Sequence, residues 1–257
     1  MFVNAFNKIS DFTRPVVLSY LECGGTHCIN GTAILINKDG WFLTAGHLVQ
    51  QYHQLILHDK SCSPSERKYP SLWLGDGVNI HPIHYNMDID IALMKANGSI
   101  GKVMNLPIFA KDSEVQVCKS VCRVGYPFSE ISSSCNIDDH GAHYSLNILE
   151  MPLIPNEGII TRSIHTGKKL EFDSDPMEIE TSSPGLKGQS GGPIFDYHGH
   201  ILGMQTKTQS RPSGFRLKVP NENGELVEEN QLLSFGQGIH VSTICKFMNH
   251  FNVKYRR

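Results

Sequence analysis

The chain has 257 residues, of which 40% are apolar and 19% charged, and its formal net charge is −2. This balance is ordinary for a soluble globular protein and gives no electrostatic reason to expect a nucleic acid or an anionic membrane as partner. The length is sufficient for one large domain or for two of modest size.

The N-terminal segment has no uninterrupted apolar stretch, because Lys8, Asp11 and Arg14 interrupt it, and no signal peptide is predicted. An uncharged apolar run of about 18 residues, the length that crosses a bilayer, does not occur, so we expect no membrane span. The seven cysteines are an odd number, and without a secretion signal they are expected to be reduced thiols. These features predict a cytoplasmic location.

Two pairs of residues have spacings that resemble weak zinc-binding motifs. Cys118 and Cys122 form a C-x3-C pair, and His140 and His143 form an H-x2-H pair. Neither spacing is characteristic of a structural or catalytic zinc site. We therefore predict no metal and no other cofactor.

Most of the chain has the pattern of short strands separated by turns. The segments 32–36 and 41–44 flank Asn37–Gly40, a sequence typical of a hairpin turn. Asn223-Gly224 predicts another hairpin turn, between the segments FRLKV and ELVEE. Further candidate strands are 89–95, 118–124, 194–196 and 200–205.

Only the C-terminal end has the periodicity of a helix. Ser242 or Thr243 is placed to cap it, and apolar residues follow at helical spacing, namely Ile244, Phe247, Met248 and Phe251. Many short strands with regular turn signals predict an all-β fold of barrels or sandwiches. Residues 100–116 break the strand pattern, and we interpret them as a link between two halves.

Residues 185–195, GLKGQSGGPIF, place one serine among four glycines. A serine hydroxyl becomes a nucleophile only when a base takes its proton, and the resulting oxyanion needs hydrogen-bond donors. Gly188 tolerates backbone angles that other residues avoid, so the N–H groups of Gly188 and Ser190 are able to face one concavity. We interpret Ser190 as a candidate nucleophile and these two N–H groups as its oxyanion hole.

The candidate base is His47, one of thirteen histidines. It follows WFLTAG, a strand-like segment whose small Ala45 and Gly46 leave room for a substrate beside the ring. His240, in the strand-like GIHVS, is interpreted as a packed core residue. The others in polar, turn-like sequence are interpreted as solvated loop residues: His81, His84, His140, His143, His198 and His200.

A carboxylate is needed to hold the imidazole tautomer and to stabilise its cation. Asp90 lies in MDIDIALMK, where apolar neighbours would bury it, and a buried carboxylate requires a partner. Asp88, two residues earlier, is the alternative because it would share the same strand face. Asp90 is the favoured partner for His47.

Two layouts of serine hydrolase fit the motif around Ser190. Residues 188–192 also match G-x-S-x-G, the nucleophile elbow, but that layout requires the acid and histidine after the serine and a helix directly behind it. Pro193 and the segment IFDYHG instead predict a strand and a turn. The available order is His47, Asp90, Ser190, so the elbow is disfavoured.

These segments resemble the chymotrypsin-fold serine proteases, specifically their HtrA/Deg-like branch. The resemblance covers most of residues 14–250 in the family's order, through GTAILINKDGWFLTAGHLV, DIALMK, LPIFAKDS, VCRVGYPF, EGIITRSI, IETSSPGLKGQSGGPIFDYHGHILGM and FGQGIHVSTI. It implies two six-stranded antiparallel β-barrels and a C-terminal helix. The first barrel, residues 1–112, would carry the histidine and the aspartate, and the second, residues 113–257, the serine.

The chain departs from secreted trypsins at two positions next to the implied triad. Leu48 stands where those enzymes carry a cysteine after the histidine. Gln189 stands where they carry the aspartate that pairs with a newly cut N-terminus. Activation by N-terminal cleavage is therefore not expected.

The resemblance also indicates where a substrate would bind. Thr206, Lys207 and Thr208 would pair with its backbone as an added β-strand, and Gln205 and Gly236 would shape the pocket wall. Pro184 occupies the position at which trypsins place the acid that binds Arg or Lys, so this position does not support that preference, and another acid that serves instead is the alternative. For Gln205 a structural role is an equal alternative.

Residues 209–234 form an unusually long insertion beside this region, with an acidic stretch at 222–229. A solvated hairpin is one interpretation, and a lid or a docking site for a regulatory protein is the other. Taken together, the residues predict an intracellular serine endopeptidase with a protein or peptide substrate, dedicated to processing. A catalytically silent peptide-binding module and a virus-encoded processing enzyme are the alternatives.

Overall fold

A computed structural model of the chain describes residues 1–75, 77–138, 141–220 and 225–257. The described helices are α1 (Val3–Ser10), α2 (Gly46–Ser61) and α3 (Val241–His250). None of them is long and apolar enough to cross a membrane. The rest of the regular structure is almost entirely strand.

The first sheet contains six strands in the order β4-β1-β2-β3-β6-β5. A bridge between Trp73 and Asn79 brings β4 and β5 together and closes the sheet into a barrel. Its strands, which all pair antiparallel, are β1 (Thr13–Glu22), β2 (Gly25–Leu35), β3 (Trp41–Ala45), β4 (Ser71–Leu74), β5 (Ile80–Asn86) and β6 (Ile91–Ala96).

The second sheet has the order β13-β8-β11-β12-β15-β14-β7, and β13 also pairs with β14. Six of its strands therefore close into a second barrel, and β7 is added in parallel beside β14. The strands after β6 are β7 (Ile108–Phe109), β8 (Ser120–Gly125), β9 (Glu130–Asp138), β10 (Gly141–Glu150), β11 (Ile154–His165), β12 (Met177–Thr181), β13 (Pro193–Phe195), β14 (His200–Pro220) and β15 (Leu226–His240). The predicted fold of two six-stranded barrels with a C-terminal helix is confirmed.

The two barrels are in extensive contact. A single cluster of buried apolar side chains includes Leu35 and Phe42 of the first sheet and Phe195 and Met204 of the second. The separate hairpin of β9 and β10 reaches the first barrel, where the Tyr144 hydroxyl donates to the Tyr69 carbonyl at 2.7 Å. The division of the chain at residue 112 stays a prediction.

The expectation of a single helix is wrong, because α1 and α2 are also helical. Ala45, which precedes α2, provides no capping side chain, and the buried residues of α2 lie in its first turn only. The start signal and the apolar stripe that identify a helix in a sequence are therefore both weak here.

The Asn223-Gly224 turn lies outside the described residues, but the flanking strands β14 and β15 pair antiparallel.

Several histidines interpreted as loop residues lie on strands. His81 and His84 belong to β5, and the His84 ring stacks on Phe251 with centroids 3.7 Å apart. His143 lies on β10, and His200 begins β14. Alternating exposed polar and half-buried positions, as in β5, produce a strand whose sequence is as polar as a loop.

The cap of α3 differs from the predicted one. His240 is the N-cap residue, and its Nδ1 accepts a hydrogen bond of 3.0 Å from the Ser242 N–H. As expected, His240 is a packed residue of the interior, only 4% exposed. Burial lowers its pKa to about 4, and the charges of Lys246 and Arg257 act in the same direction while Asp112 opposes them.

Replacing His240 by asparagine is expected to reduce the loss of stability on acidification. Because the folded protein holds this imidazole neutral, it binds fewer protons than the unfolded chain below the ordinary histidine pKa. The contribution of His240 to the free energy of unfolding is therefore greatest above about pH 6.5 and falls by roughly 3 kcal/mol as the pH drops to about 4. Asparagine retains a cap acceptor without titrating. Urea unfolding near pH 7 and near pH 5 measures the difference, and an equal fall in both proteins would contradict it.

Candidate active site

The carboxylate of Asp90 holds the imidazole and the backbone of His47. The His47 Nδ1 lies 3.0 Å from Asp90 Oδ1 and 2.9 Å from Oδ2, and the His47 N–H donates to Oδ1 at 2.7 Å. His47 is the second residue of α2, and its side chain is 40% exposed, against 23% for Asp90. The imidazole is therefore held on its Nδ1 side and is partly exposed to solvent.

A tight turn before β6 aims Asp90 at His47. The Asn86 Oδ1 accepts from the N–H groups of Asp88 and Ile89, and Asp90 itself has the left-handed φ of +57°. Such a backbone is uncommon outside glycine, although aspartate and asparagine adopt it more readily than other residues do. Asp88, the alternative acid, is 65% exposed and lies 3.7 Å from Lys168, so the structure does not bring it to His47.

The loop that carries Ser190 is bound to the first barrel through Thr32 of β2. The Thr32 N–H donates to the Ser190 carbonyl at 2.8 Å, and the Thr32 hydroxyl donates to the Gly188 carbonyl at 2.7 Å. A Cβ at Gly191 would lie 3.0 Å from the Ala45 N, directly before α2. The serine loop and the segment that carries His47 are therefore in contact.

The Ser190 hydroxyl donates to the Thr206 carbonyl at 3.2 Å. Among the described residues, no hydrogen bond joins this hydroxyl to the His47 ring. Bonds between a nucleophile and its base are often long or misaligned without substrate and tighten when one binds. What relates the two groups in the structure is the contact between the segments that carry them, at Gly191 and Ala45.

Gly188 adopts a φ of +97°, in the region that the sequence analysis anticipated. A Cβ there would lie 2.5 Å from the Tyr126 carbonyl oxygen and 2.9 Å from the Asn30 side-chain nitrogen, so a larger residue does not fit. Within the described ranges, neither the Gly188 N–H nor the Ser190 N–H has an acceptor. Both remain available to an oxyanion.

A cleft of about 220 Å³ adjoins Ser190, lined by residues 185–187, Ser190 and residues 205–208. It includes four of the predicted substrate-binding residues, Gln205 to Thr208. Pro184 does not line it, and the Pro184 carbonyl accepts from Asn156 at 2.7 Å. Gly236 pairs with Thr208 across the β14–β15 ladder.

A separate cavity of about 450 Å³ lies on another part of the surface, between α1 and the second barrel. None of the predicted site residues lines it. Its lining is Phe2, Val3, Phe6, Cys122, Pro155 and Glu157. The candidate site therefore lies at the smaller of these two cavities, and cavity volume does not identify it.

One edge of β14 is open beside the candidate nucleophile. The strand pairs with β13 as far as Met204, and the Gln205 N–H still donates to the Gly192 carbonyl at 2.8 Å. From Thr206 to Thr208, no other described strand pairs with that edge. An extended peptide is able to add there as a further strand.

Sequence reasoning missed the roles of Thr32, Gln189 and Arg123 as supports of the site. Gln189 is completely buried, its Oε1 accepts from the Leu186 N–H at 2.9 Å, and its Nε2 donates to the Ile154 carbonyl at 3.2 Å. Arg123 lies behind the cleft and donates to Gln205. Each has at least one partner distant in sequence, namely Gly188 for Thr32, Ile154 for Gln189 and Gln205 for Arg123, so no local motif identifies the role.

The zinc spacings do not form a site in the described part of the chain. Cys122 is buried in β8, where burial raises its thiol pKa to about 11, while Cys118 is exposed. His143 lies 3.2 Å from Asp138, and His140 is outside the described residues. All seven cysteines are unpaired.

The two closed six-stranded barrels define the chymotrypsin-like class of folds. The family model described as a trypsin-like peptidase domain matches residues 31–204, more than half of the chain. The chain therefore belongs to the trypsin-like peptidase domain family, as its sequence motifs predicted.

Curated relatives belong to the HtrA and DegP group. A probable periplasmic serine endoprotease, DegP-like, of Ectopseudomonas mendocina (strain ymp) is 25% identical over 185 residues, which cover 72% of this chain and 31% of the relative. Serine protease HTRA1 of Xenopus laevis is 22% identical over 210 residues, covering 81% of this chain and 38% of that protein. The chain thus spans about a third of the length of the curated relatives it matches.

A solved structure with the same fold is that of the HtrA-type protease AlgW with tripeptide. The match covers 99% of this chain and 64% of that one, with a TM-score of 0.57 and 14% sequence identity. At this identity the similarity establishes the fold. The predicted resemblance to the HtrA/Deg branch is confirmed.

Proposed function

We propose that this protein is a serine endopeptidase in which Ser190 is the nucleophile, His47 the general base and Asp90 the residue that orients His47. The observation that carries the proposal is the double contact between Asp90 and the His47 Nδ1, next to the loop of Ser190. This arrangement leaves the His47 Nε2 as the free base of the site. The fold and the family support the same assignment.

In the proposed reaction, the Ser190 Oγ attacks the carbonyl carbon of the scissile bond while the His47 Nε2 takes its proton. The N–H groups of Gly188 and Ser190 donate to the oxyanion of the tetrahedral intermediate. The histidine then gives the proton to the departing amine, and an acyl-enzyme ester remains. Water, deprotonated by the same histidine, hydrolyses this ester and regenerates Ser190.

A protein or peptide in extended conformation is the proposed substrate. The open edge of β14 from Thr206 to Thr208 supplies backbone partners beside Ser190. The related AlgW structure contains a tripeptide, which supports peptide binding by this fold.

Most of residues 209–234 lie on the exposed extension of β14 and β15. The role of this segment as a lid or as a docking site for a regulatory protein stays a prediction.

The proposed compartment is the cytoplasm, on the basis of the seven unpaired cysteines. The periplasm is the alternative compartment, because two relatives are named probable periplasmic serine endoproteases. Fractionation of cells that express the full chain distinguishes the two.

The contact between the Ser190 hydroxyl and the Thr206 carbonyl favours a second candidate, a silent module that binds peptides without cleaving them. A fluorophosphonate probe separates the two, because it reacts only with an activated serine. We expect wild type to be labelled and Ser190→Ala to be unlabelled but folded. Ser210→Ala, which removes an exposed hydroxyl of β14, is the matched control and should be labelled like wild type. Equal labelling of wild type and Ser190→Ala would refute the assignment of the nucleophile.

A further inference from the structure

We propose that the cleft beside Ser190 selects a substrate with an acidic side chain, glutamate or aspartate, immediately before the scissile bond, and that Arg123 and Gln205 determine this preference. The inference rests on the proposed peptidase function and concerns its specificity. A buried positive charge, the guanidinium of Arg123, lies behind the cleft and has no role in the proposed reaction.

Arg123 of β8 is among the largest completely buried side chains of the protein, only 1% exposed. Its guanidinium donates to the Gln205 Oε1 at 2.8 Å, to the Thr181 hydroxyl and to the Ser183 hydroxyl at 3.3 Å. It also lies directly against Gly236, where a Cβ would collide with it. Neutral groups therefore hold Arg123 next to Gln205 and Gly236, the two residues predicted to shape the wall of the pocket.

A buried guanidinium normally has a carboxylate partner, because taking a charge out of water is costly. Within the described residues, Arg123 forms no ion pair, whereas the other buried charges do. Glu180 pairs with Arg162 at 2.9 Å and with Arg211 at 2.8 Å, and Asp173 pairs with Lys246 at 2.7 Å. Burial lowers the pKa of Arg123 to about 10, which still leaves it charged at neutral pH.

Gln205 connects this charge to the cleft. Its Oε1 accepts from Arg123, and the residue, although only 2% exposed, belongs to the lining of the cleft. The Nε2 donates to the Lys207 carbonyl at 2.7 Å and lies against Gly185, another residue of the lining. An amide nitrogen carries two hydrogens, and among the described residues only one of them has an acceptor. The cleft therefore presents a donor backed by a positive charge.

The charged side chains of the lining are also basic. Lys187 and Lys207 stand at the cleft, and no aspartate or glutamate among the described residues lines it. Glu178 lies 3.3 Å from Lys207 and partly offsets that charge. A carboxylate on the substrate would meet the free amide hydrogen and serve as the missing counter-ion of Arg123. A lysine or arginine side chain would find neither an acceptor carboxylate nor relief from the charge of Arg123.

The test compares two peptides that differ only in glutamate or glutamine before the scissile bond. We expect kcat/KM of wild type to favour glutamate by about ten- to a hundredfold, the range of a hydrogen bond to a charged group. Both peptides depend equally on His47 and Ser190, so the ratio isolates the side-chain contact. A ratio near one, or a preference for a basic or apolar residue, would overturn the inference.

Variants of the two residues provide the second arm. Gln205→Glu has nearly the same shape but supplies Arg123 with a carboxylate, so the preference for glutamate should be lost or inverted. Arg123→Gln should lose it too, and Arg123→Lys should restore part of it. Arg162→Gln removes another arginine of the same sheet, one that pairs with Glu180, and should keep the wild-type ratio. A glutamate preference that survives Gln205→Glu would overturn the proposal.

Labelling by the fluorophosphonate probe is measured on every variant. A variant that is labelled is folded and has a competent serine, so its ratio of kcat/KM is informative. Labelled wild type that prefers other residues contradicts the specificity but leaves the peptidase function intact. Wild type that is neither labelled nor able to cleave any peptide of a random library contradicts the peptidase function, and the specificity with it.

Discussion

Asp90→Asn is expected to lower kcat by about 10⁴-fold while leaving the fold and the position of His47 unchanged. The Asp90 Oδ1 accepts from the His47 N–H at 2.7 Å, and the Oδ2 lies 2.9 Å from Nδ1. An asparagine will keep its oxygen on the backbone N–H and turn its amide nitrogen towards Nδ1. That nitrogen is a donor, so Nδ1 must become the acceptor and the proton moves to Nε2. A protonated Nε2 is unable to take the proton of Ser190.

The control for this variant is Asp88→Asn, two residues earlier in the chain. Asp88 is 65% exposed and faces Lys168, so its replacement is expected to change kcat less than about twofold. Steady-state cleavage of a peptide substrate, with titration of competent serine, measures both variants. If Asp90→Asn retains activity within about tenfold of wild type, or Asp88→Asn loses as much as Asp90→Asn, the role given to Asp90 is wrong.

The parts of the fold that the sequence predicts are those that local patterns encode. The turn Asn37–Gly40 and its flanking apolar segments predict the β2–β3 hairpin, in which Ala33 pairs with Thr44. The order of His47, Asp90 and Ser190 along the chain, together with the strand-like segment that starts at Pro193, favours one of two hydrolase layouts. By contrast, α2 lacks a cap and has a weak apolar stripe, so its sequence does not reveal it.

The parts that the sequence does not predict depend on partners distant along the chain. Thr32 contacts the Gly188 carbonyl 156 residues away, and Arg123 contacts Gln205 82 residues away. Composition and periodicity carry no information on such pairs, because each residue alone is ordinary for a strand. The same holds for Gln189. Its position in the sequence shows that it replaces the aspartate of secreted trypsins, but does not show that its side chain bonds the Leu186 N–H and the Ile154 carbonyl.

Gln189 holds the turn from Leu186 to Gly192, which carries the proposed oxyanion hole, through hydrogen bonds that require no newly cut N-terminus. Its amide accepts from the Leu186 N–H at 2.9 Å and donates to the Ile154 carbonyl at 3.2 Å. Its own backbone N–H donates to the Leu186 carbonyl, and its carbonyl accepts from the Gly192 N–H. The turn between Leu186 and Gly192 is thus held by neutral groups already present in the chain.

Gln189→Leu is therefore expected to weaken both stability and catalysis. Leucine fills a similar volume but leaves the Leu186 N–H and the Ile154 carbonyl without these partners, at a cost of about 2–4 kcal/mol in the free energy of unfolding. A loop released in this way no longer fixes the N–H groups of Gly188 and Ser190. Because one oxyanion donor contributes about 10²–10³-fold to kcat, a loss of roughly a hundredfold is expected.

Two further variants test whether the amide bonds of Gln189 are responsible. Gln54→Leu makes the same change at an exposed site of α2 and is expected to alter the free energy of unfolding by less than about 0.5 kcal/mol.

Gln189→Glu keeps an acceptor for the Leu186 N–H but sets a carboxylate oxygen against the Ile154 carbonyl. Protonation turns that oxygen into a donor, so the folded state raises the pKa of the new carboxyl and the variant gains stability, relative to wild type, as the pH falls. Urea unfolding near pH 7 and near pH 5 detects this gain. Its absence, together with wild-type activity of Gln189→Leu, would show that the loop is held by other contacts.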